Sequence, residues 1–196
     1  MRRFAGVFCA VAVVVLLSPG CGGGGRPGLM GELPPGMDIY LTMSPEGVGV
    51  REIMGSLRET ALGGSDELAI AGAALGIDPL SWDEWVTATG LDPGAEMGLA
   101  VYASGSRMSA LALFLPVSDP ATLESFLDVI PEEEGVRLSQ WRDGMWVILA
   151  SEVPQQLDMM AEALDSGDHL ADDQDFARLW DALGGGGADA HLYVRT

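Results

Sequence analysis

The sequence predicts an α+β domain with a largely antiparallel sheet built from β-hairpins and with helices packed on it. Two pairs of apolar, alternating segments flank the dipeptides Gly105-Ser106 and Asp143-Gly144, which supply the positive φ angles that two-residue hairpin turns require. A segment with a helical apolar stripe follows each pair. Strands joined by such short turns pair antiparallel, and each apolar stripe requires a sheet face to pack on.

The first half of the domain is predicted to hold one strand and three helices. The strand runs from Asp38 to Met43, and helices are expected around Val50 to Ala61 and Asp66 to Leu75. The third helix begins at Ser81, because the Ser81 hydroxyl and the Glu84 carboxylate are spaced to satisfy each other's free backbone donors.

The second half alternates hairpins with helices. The predicted strands are Gly98 to Ser104 and Arg107 to Leu115 in the first hairpin, and Val136 to Arg142 and Met145 to Ala150 in the second. The helical stripes are Leu123, Phe126, Leu127 and Ile130, then Leu157, Met160, Ala161 and Leu164, then Phe176, Leu179, Trp180 and Leu183. We interpret all three stripes as core packing rather than as cofactor sites.

The C-terminal segment echoes the start of the domain. Residues Gly187 to Val194 repeat the order of glycine, aspartate and strand seen in Gly36 to Met43. The echo predicts that the chain is the truncated product of a longer protein with two repeats. The alternative is that the terminal strand pairs with the sheet of its own repeat.

The order of elements behind the N-terminal signal resembles that of a bacterial exported domain of unknown function. The segments that carry the resemblance are Gly36 to Met43, Gly76 to Pro79, Gly90 to Gly94, Val117 to Asp119, Leu170, and Asp175-Phe176. These segments are turns and helix caps, so the resemblance implies a fold and no activity.

The N-terminus has the order of a secretory signal. Met1-Arg2-Arg3 is followed by an uncharged run from Phe4 through Leu17 and then by Ser18-Pro19-Gly20-Cys21. The apolar run is shorter than the roughly 20 residues that cross a membrane. With the glycines that follow, it resembles the lipobox of bacterial lipoproteins, although Ser18 stands where that family prefers leucine. The alternative is an ordinary cleaved signal with a chance cysteine.

The lipobox resemblance implies cleavage before Cys21 and attachment of acyl chains such as palmitate at that residue. Multiple acyl chains anchor a protein firmly. Gly22 in place of aspartate implies delivery to the outer membrane, facing the periplasm. The expected organisation is a signal over residues 1–20, a lipidated cysteine with a glycine- and proline-rich tether over 21–36, and a single α+β domain over 37–196.

Charge and composition restrict the possible functions. The chain holds 10 basic residues, none of them lysine, and 29 acidic residues. Loss of Arg2 and Arg3 with the signal leaves a net charge of 8 − 29 = −21. This charge opposes nucleic acid, and the absence of lysine excludes Schiff-base chemistry. With Cys9 removed and Cys21 lipidated, the domain has no thiol for a disulfide or for catalysis.

No catalytic or cofactor motif is assembled in the sequence. There is no G-x-S-x-G elbow, and Gly184 to Gly187 follows a helix and enters a strand, unlike a phosphate-binding loop. Asp165 to Asp175 is rich in oxygen ligands but lacks the spacing of an EF-hand. We interpret this segment as a loop in which Asp172 or Asp173 caps the following helix. We therefore expect no metal and no cofactor.

The second hairpin provides the candidate binding surface. A two-residue turn at Asp143-Gly144 predicts that Trp141 lies opposite Trp146. Alternation then places the four candidate residues Trp141, Trp146, Ile148 and Arg137 on one face together with Ser139, and Val136, Leu138, Val147 and Leu149 on the other. Such a mixed aromatic face could stack on a sugar ring or on an apolar side chain of a partner. The competing interpretation is burial under a helix or the tether.

These observations predict a non-catalytic lipoprotein of the cell envelope. We expect it to be a binding or structural module, attached to the membrane by its lipid, whose partner is an envelope protein or an apolar or glycan ligand. One alternative is an enzyme that acts on envelope glycans with carboxylates alone. Another is a fragment of a longer two-repeat protein.

Overall fold

The structure is a computed structural model that describes residues 28–59, 66–104, 107–128, 135–142, 144–151, 153–182 and 189–195. The positions outside these ranges include the signal, Cys21, the Gly105-Ser106 turn, Asp143, Ile130, Leu183 and Gly187. Among the described residues, no helix is long and apolar enough to cross a membrane.

Six strands of the described chain pair antiparallel in one sheet. They are β1 (Ile39–Met43), β2 (Met97–Ser104), β3 (Arg107–Pro116), β4 (Val136–Arg142), β5 (Met145–Ser151) and β6 (Ala190–Val194). Their order across the sheet is β4-β5-β3-β2-β1-β6. Both predicted hairpins are confirmed, and Gly144 in the second turn has the expected positive φ of 70°. The sheet and its helices confirm the predicted α+β class.

The helices also follow the sequence pattern. They are α1 (Gly28–Glu32), α2 (Val50–Arg58), α3 (Asp66–Leu75), α4 (Trp82–Thr89), α5 (Pro120–Leu127), α6 (Pro154–Asp165) and α7 (Gln174–Ala182), with a 3-10 turn at Leu170–Asp172. The sequence does not predict helix α1, because its glycine and proline content indicates a tether over residues 21–36. That prediction is wrong for residues 28–36, which include α1.

Helix α1 belongs to the folded domain because its apolar side chains are buried. Leu29, Met30 and Leu33 are all less than 5% exposed. They pack against β2 at Gly98, where an added Cβ would lie 3.2 Å from Leu29 and 3.3 Å from Phe114. The absence of a side chain at Gly98 therefore lets α1 approach the sheet closely.

Helices cover both faces of the sheet. Face A, which carries Tyr40, Phe114 and Val147, packs against α1, α6, α7 and the 3-10 turn. Face B, which carries Leu115 and Trp146, packs against α2, α4 and α5. Most described members of the three predicted stripes pack in these clusters, but Leu179 is 46% exposed, and its assignment to the core is wrong. The sheet lies between two helical layers.

The predicted cap of α4 is half correct. The Ser81 hydroxyl accepts a hydrogen bond from the Glu84 amide at 3.3 Å. The Glu84 carboxylate does not return to Ser81 and instead accepts from the Asp78 amide at 2.6 Å. The preceding turn brings Asp78 within reach, because the Ser81 amide is already bonded to the Asp78 carbonyl.

The terminal strand β6 pairs with β1, and the echo segments are therefore neighbours. Tyr40 lies opposite Tyr193 and Leu41 lies opposite Leu192. This is the alternative outcome, in which the terminal strand joins the sheet of its own repeat. Strand β6 forms one edge of the described sheet, and β4 forms the other.

Candidate functional site

The two tryptophans of the second hairpin do not lie opposite each other. Arg142 pairs with Met145 as predicted, but the residue opposite Trp146 is Gln140. The pairing shifts by one residue between Gln140 and Arg142, so Trp141 is the extra residue of a β-bulge. A one-residue shift moves every earlier residue of β4 to the other face. The predicted four-residue surface is therefore wrong.

Trp141 and Arg137 remain together on face A. The Trp141 ring makes an edge contact with Phe114 at a centroid distance of 4.9 Å, and the Arg142 guanidinium lies 4.9 Å from the Trp141 ring centroid. Arg137 forms an ion pair of 2.8 Å with Asp158 of α6. The ion pair connects β4 to α6 of face A, and both side chains have structural partners.

Trp146 and Ile148 lie on face B, against the second core cluster. Trp146 is opposite Leu115 of β3 and is partly buried. Its indole Nε1 atom is buried and has no hydrogen-bond partner among the described residues. Since the sheet separates Trp146 and Ile148 from Trp141, the two tryptophans cannot hold one ligand together.

The aspartate-rich segment serves as a helix cap. The Asp173 carboxylate accepts hydrogen bonds from the Asp175 amide at 2.9 Å and the Phe176 amide at 3.1 Å. The bonds from Phe176 and Asp175 lower the pKa of Asp173. This confirms the capping interpretation. In the described ranges, no group of three or more histidine, cysteine or acidic residues could hold a metal ion.

Two capping aspartates, Asp119 and Asp173, have lowered pKa values and so are unsuited to act as general acids. Hydrogen bonds from Thr122 lower the pKa of Asp119, which caps α5, and Asp173 shifts in the same direction. A general acid at neutral pH needs a raised pKa.

Burial raises the pKa of Tyr40 to about 12. The Tyr40 hydroxyl donates a hydrogen bond to the Pro34 carbonyl and accepts one from the Met37 amide. Tyr40 therefore stabilises the turn before β1.

The most distinctive surface is a row of apolar residues across face B. Directly opposed residues in neighbouring strands form this row in the order Val194, Ile39, Val101, Leu111, Ala150 and Val136. We call it the apolar row. A second row beside it is also entirely apolar and consists of Leu192, Leu41, Leu99, Leu113, Ile148 and Leu138.

The core cluster of the face B helices reaches Leu113 and Leu115 of β3 but includes no member of the apolar row. Val194 and Val136, at its two ends, are 50% and 41% exposed. Only Val101 is buried, and the other three members are partly exposed. The apolar side chains exposed at the two ends of the row are candidates for contact with a partner.

Helix α3 adds a further apolar surface. After its first two residues it contains only apolar residues and glycine, and Ile70 is 59% exposed. A helix that is apolar on all sides usually lies in a protein interior. Helix α3 instead exposes part of its apolar surface.

The apolar row could not be identified from the sequence. Alternate residues of β2 and β3 are apolar on face B, but those that point to face A are apolar or small as well. The pattern therefore predicts a sheet buried on both sides. The pattern does not indicate that the core cluster of face B excludes the apolar row.

Compared with known protein families, curated proteins and solved structures, the chain shows no match.

Proposed function

We propose that this chain is a lipid-anchored protein of the cell envelope whose domain binds an apolar surface of another envelope component. The apolar row is the observation that supports this function. It joins residues from six strands into one strip, whereas scattered exposed apolar residues need no functional explanation. The proposed role is binding, without catalysis.

The anchor and the charge fit this role. Acyl chains on Cys21 hold the domain at the outer membrane, on its periplasmic side. The expected net charge of the mature chain, 8 − 29 = −21, repels anionic lipid headgroups. The domain is therefore kept off the bilayer surface, with the apolar row accessible to a partner.

The anchor is tested with Cys21→Ser. We expect this variant to move from the membrane to the soluble envelope fraction and to incorporate no labelled fatty acid, whereas the wild type incorporates it. Fractionation and fatty-acid labelling measure the two effects. Lipid attachment at Cys21 is contradicted if the variant stays on the membrane and the wild type takes up no fatty acid.

The binding surface is tested by photocrosslinking in intact cells. A photoreactive amino acid replaces Val136 on face B, and Ser139 serves as the matched control. Both residues are exposed on β4, but Ser139 lies opposite Val147 and so belongs to face A. We expect a crosslinked product at position 136 and little at position 139. Equal yields at both positions, or none at either, contradict the proposed surface.

The mass of the crosslinked product identifies the class of ligand. A product enlarged by the mass of a protein indicates a partner protein of the envelope. A product enlarged by the mass of a lipid indicates an apolar small molecule. Both results support a binding role for the apolar row and differ only in what is bound.

A further inference from the structure

Strand β6 presents an unpaired edge. On its inner side, the Ser44 amide donates to the Asp189 carbonyl at 2.7 Å, and the Arg195 amide donates to the Asp38 carbonyl at 2.8 Å. Backbone groups in an antiparallel strand alternate between the two sides. The amides and carbonyls of the intervening residues Ala190, Leu192 and Val194 therefore point away from β1. No strand in the described part of the chain pairs with that side.

This edge lacks the features that usually prevent association. Leu192 and Val194 are 53% and 50% exposed. The strand contains no proline and no charged residue between Asp189 and Arg195. Edge strands of monomeric proteins usually carry lysine, proline or a bulge. An exposed apolar edge with free backbone groups is instead suited to pairing with another strand.

The edge is complementary to a second copy of itself. If two β6 strands pair antiparallel with Leu192 on the two-fold axis, Ala190 lies opposite Val194 and His191 lies opposite Tyr193. At each end, Asp189 then lies opposite Arg195 of the other copy, whose guanidinium already lies 4.0 Å from Asp173 of its own copy and so would face two acids. Directly opposed charges of opposite sign stabilise a strand pair. Moving the axis by two residues in either direction removes this charge pair, so the charges select one register.

The same arrangement already exists inside the molecule. Strand β6 pairs with β1, whose sequence it echoes, and Leu192 lies opposite Leu41. Arg195 is bonded through its backbone to Asp38, the residue that corresponds to Asp189 in the echo. Pairing with a second β6 would repeat the Leu-Leu and Arg-Asp juxtapositions on the free side of the strand.

We propose that two copies of this chain associate through their β6 edges, with Leu192 on the two-fold axis, and join their sheets into one. This inference goes beyond the proposed function, because it uses the backbone edge of β6, although Val194 also belongs to the apolar row. A five-residue edge buries less than the roughly 1,200 Å² of a stable interface, and two strongly acidic copies repel each other. We therefore expect a weak association, which is best measured by trapping the dimer with a disulfide bond.

The test uses the full chain in envelope membranes, carrying Leu192→Cys. Residues 22–196 contain no other cysteine, so a disulfide dimer reports contact between two copies at position 192. The matched control is Ser139→Cys, which is also exposed but lies on the opposite edge strand and outside the apolar row. Under a mild oxidant, we expect Leu192→Cys to form dimers several times faster than Ser139→Cys. Equal rates, or no dimer at position 192, overturn the proposal.

Charge exchange then tests the register. In the Leu192→Cys background, Arg195→Glu places two acids opposite each other, and Asp189→Arg places two arginines opposite each other. We expect each single change to lower dimer formation about five- to tenfold, and the combined change to restore it. Unfolding of the variants cannot produce this restoration. A combined variant that dimerises no better than the single variants overturns the proposed register.

Discussion

Leu41 of β1 lies directly opposite Leu192 of β6, and the two leucines occupy the same position in the echoed segments. The echoed strands are therefore related by a local two-fold axis that passes between these residues. Their environments differ, because β1 lies inside the sheet and β6 at its edge. Leu41 is 5% exposed, whereas Leu192 is 53% exposed.

This difference predicts unequal effects on stability. Leu41→Ala removes buried methyl groups and should lower the free energy of unfolding by about 2 to 5 kcal/mol. Leu192→Ala should lower it by less than about 1 kcal/mol, because the side chain is half exposed in the monomer. Urea denaturation measures both values. Similar losses for the two variants would show that β6 is not an edge strand.

The bulge at Trp141 predicts that the two tryptophans contribute independently. Trp141→Ala and Trp146→Ala should each destabilise the domain, because each ring packs against a core cluster. The losses should add within about 0.5 kcal/mol in the double variant, since the rings lie on opposite faces of the sheet. Directly opposed rings would instead show a coupling of roughly 0.2 to 1 kcal/mol. A coupling near the upper end of that range in a double-mutant cycle would contradict the bulge.

Thr42 is predicted to tolerate loss of its hydroxyl. The side chain is 1% exposed, and its Oγ1 atom has no hydrogen-bond partner in the described part of the chain. Thr42→Val removes this unpaired group without changing the shape, so stability should be unchanged or should rise by about 1 kcal/mol. Thermal and urea unfolding measure the change.

Ser151→Ala is the control for this prediction. The Ser151 hydroxyl donates to the Ser109 carbonyl at 2.9 Å and accepts from the Val153 amide at 3.0 Å. Removal of the hydroxyl leaves the Ser109 carbonyl and the Val153 amide without this partner and should lower the free energy of unfolding by about 1 to 3 kcal/mol. A loss of that size for Thr42→Val would show that Thr42 also has a partner.

The cap at Asp173 predicts a pH dependence on the acid side. Its pKa is lowered from an ordinary value of 3.8 by hydrogen bonds to the α7 amides. A group with a lowered folded pKa contributes stability above its unfolded pKa and loses it as the pH falls through the folded value. The contribution is therefore complete at neutral pH and disappears below about pH 4.

Asp173→Asn keeps a capping oxygen but removes the charge. The difference in stability between the wild type and this variant should be largest at neutral pH and should disappear in acid. Asp173→Ala removes the cap and should cost about 1 kcal/mol at neutral pH. The neighbouring Asp172→Asn is the control, because the capping bonds to α7 go to Asp173. Because Asp119 also has a lowered pKa, part of the acid loss remains in Asp173→Asn, but a loss as large as that of the wild type contradicts the assignment.

Local sequence by itself determined both hairpins, the helices that follow them and a cap at Asp172 or Asp173, of which the structure selects Asp173. A hairpin depends on a short turn between two alternating segments, and a helix depends on the spacing of its apolar residues. Asp143-Gly144 and the Phe176 stripe carry this information within a few residues. The sequence also determined the acidic charge and the lipobox-like N-terminus from which the anchor at Cys21 is proposed.

Only the tertiary structure decided which faces these residues share. The bulge at Trp141 moves the rest of β4 by one position, and a shift of one residue exchanges the two faces of a strand. Helix α1 forms within a glycine- and proline-rich segment because Leu29 and Leu33 are buried against the sheet. The apolar row likewise exists because strands distant in sequence align while the face B helices cover one end of the sheet. Such contacts depend on packing between distant segments, which local patterns do not specify.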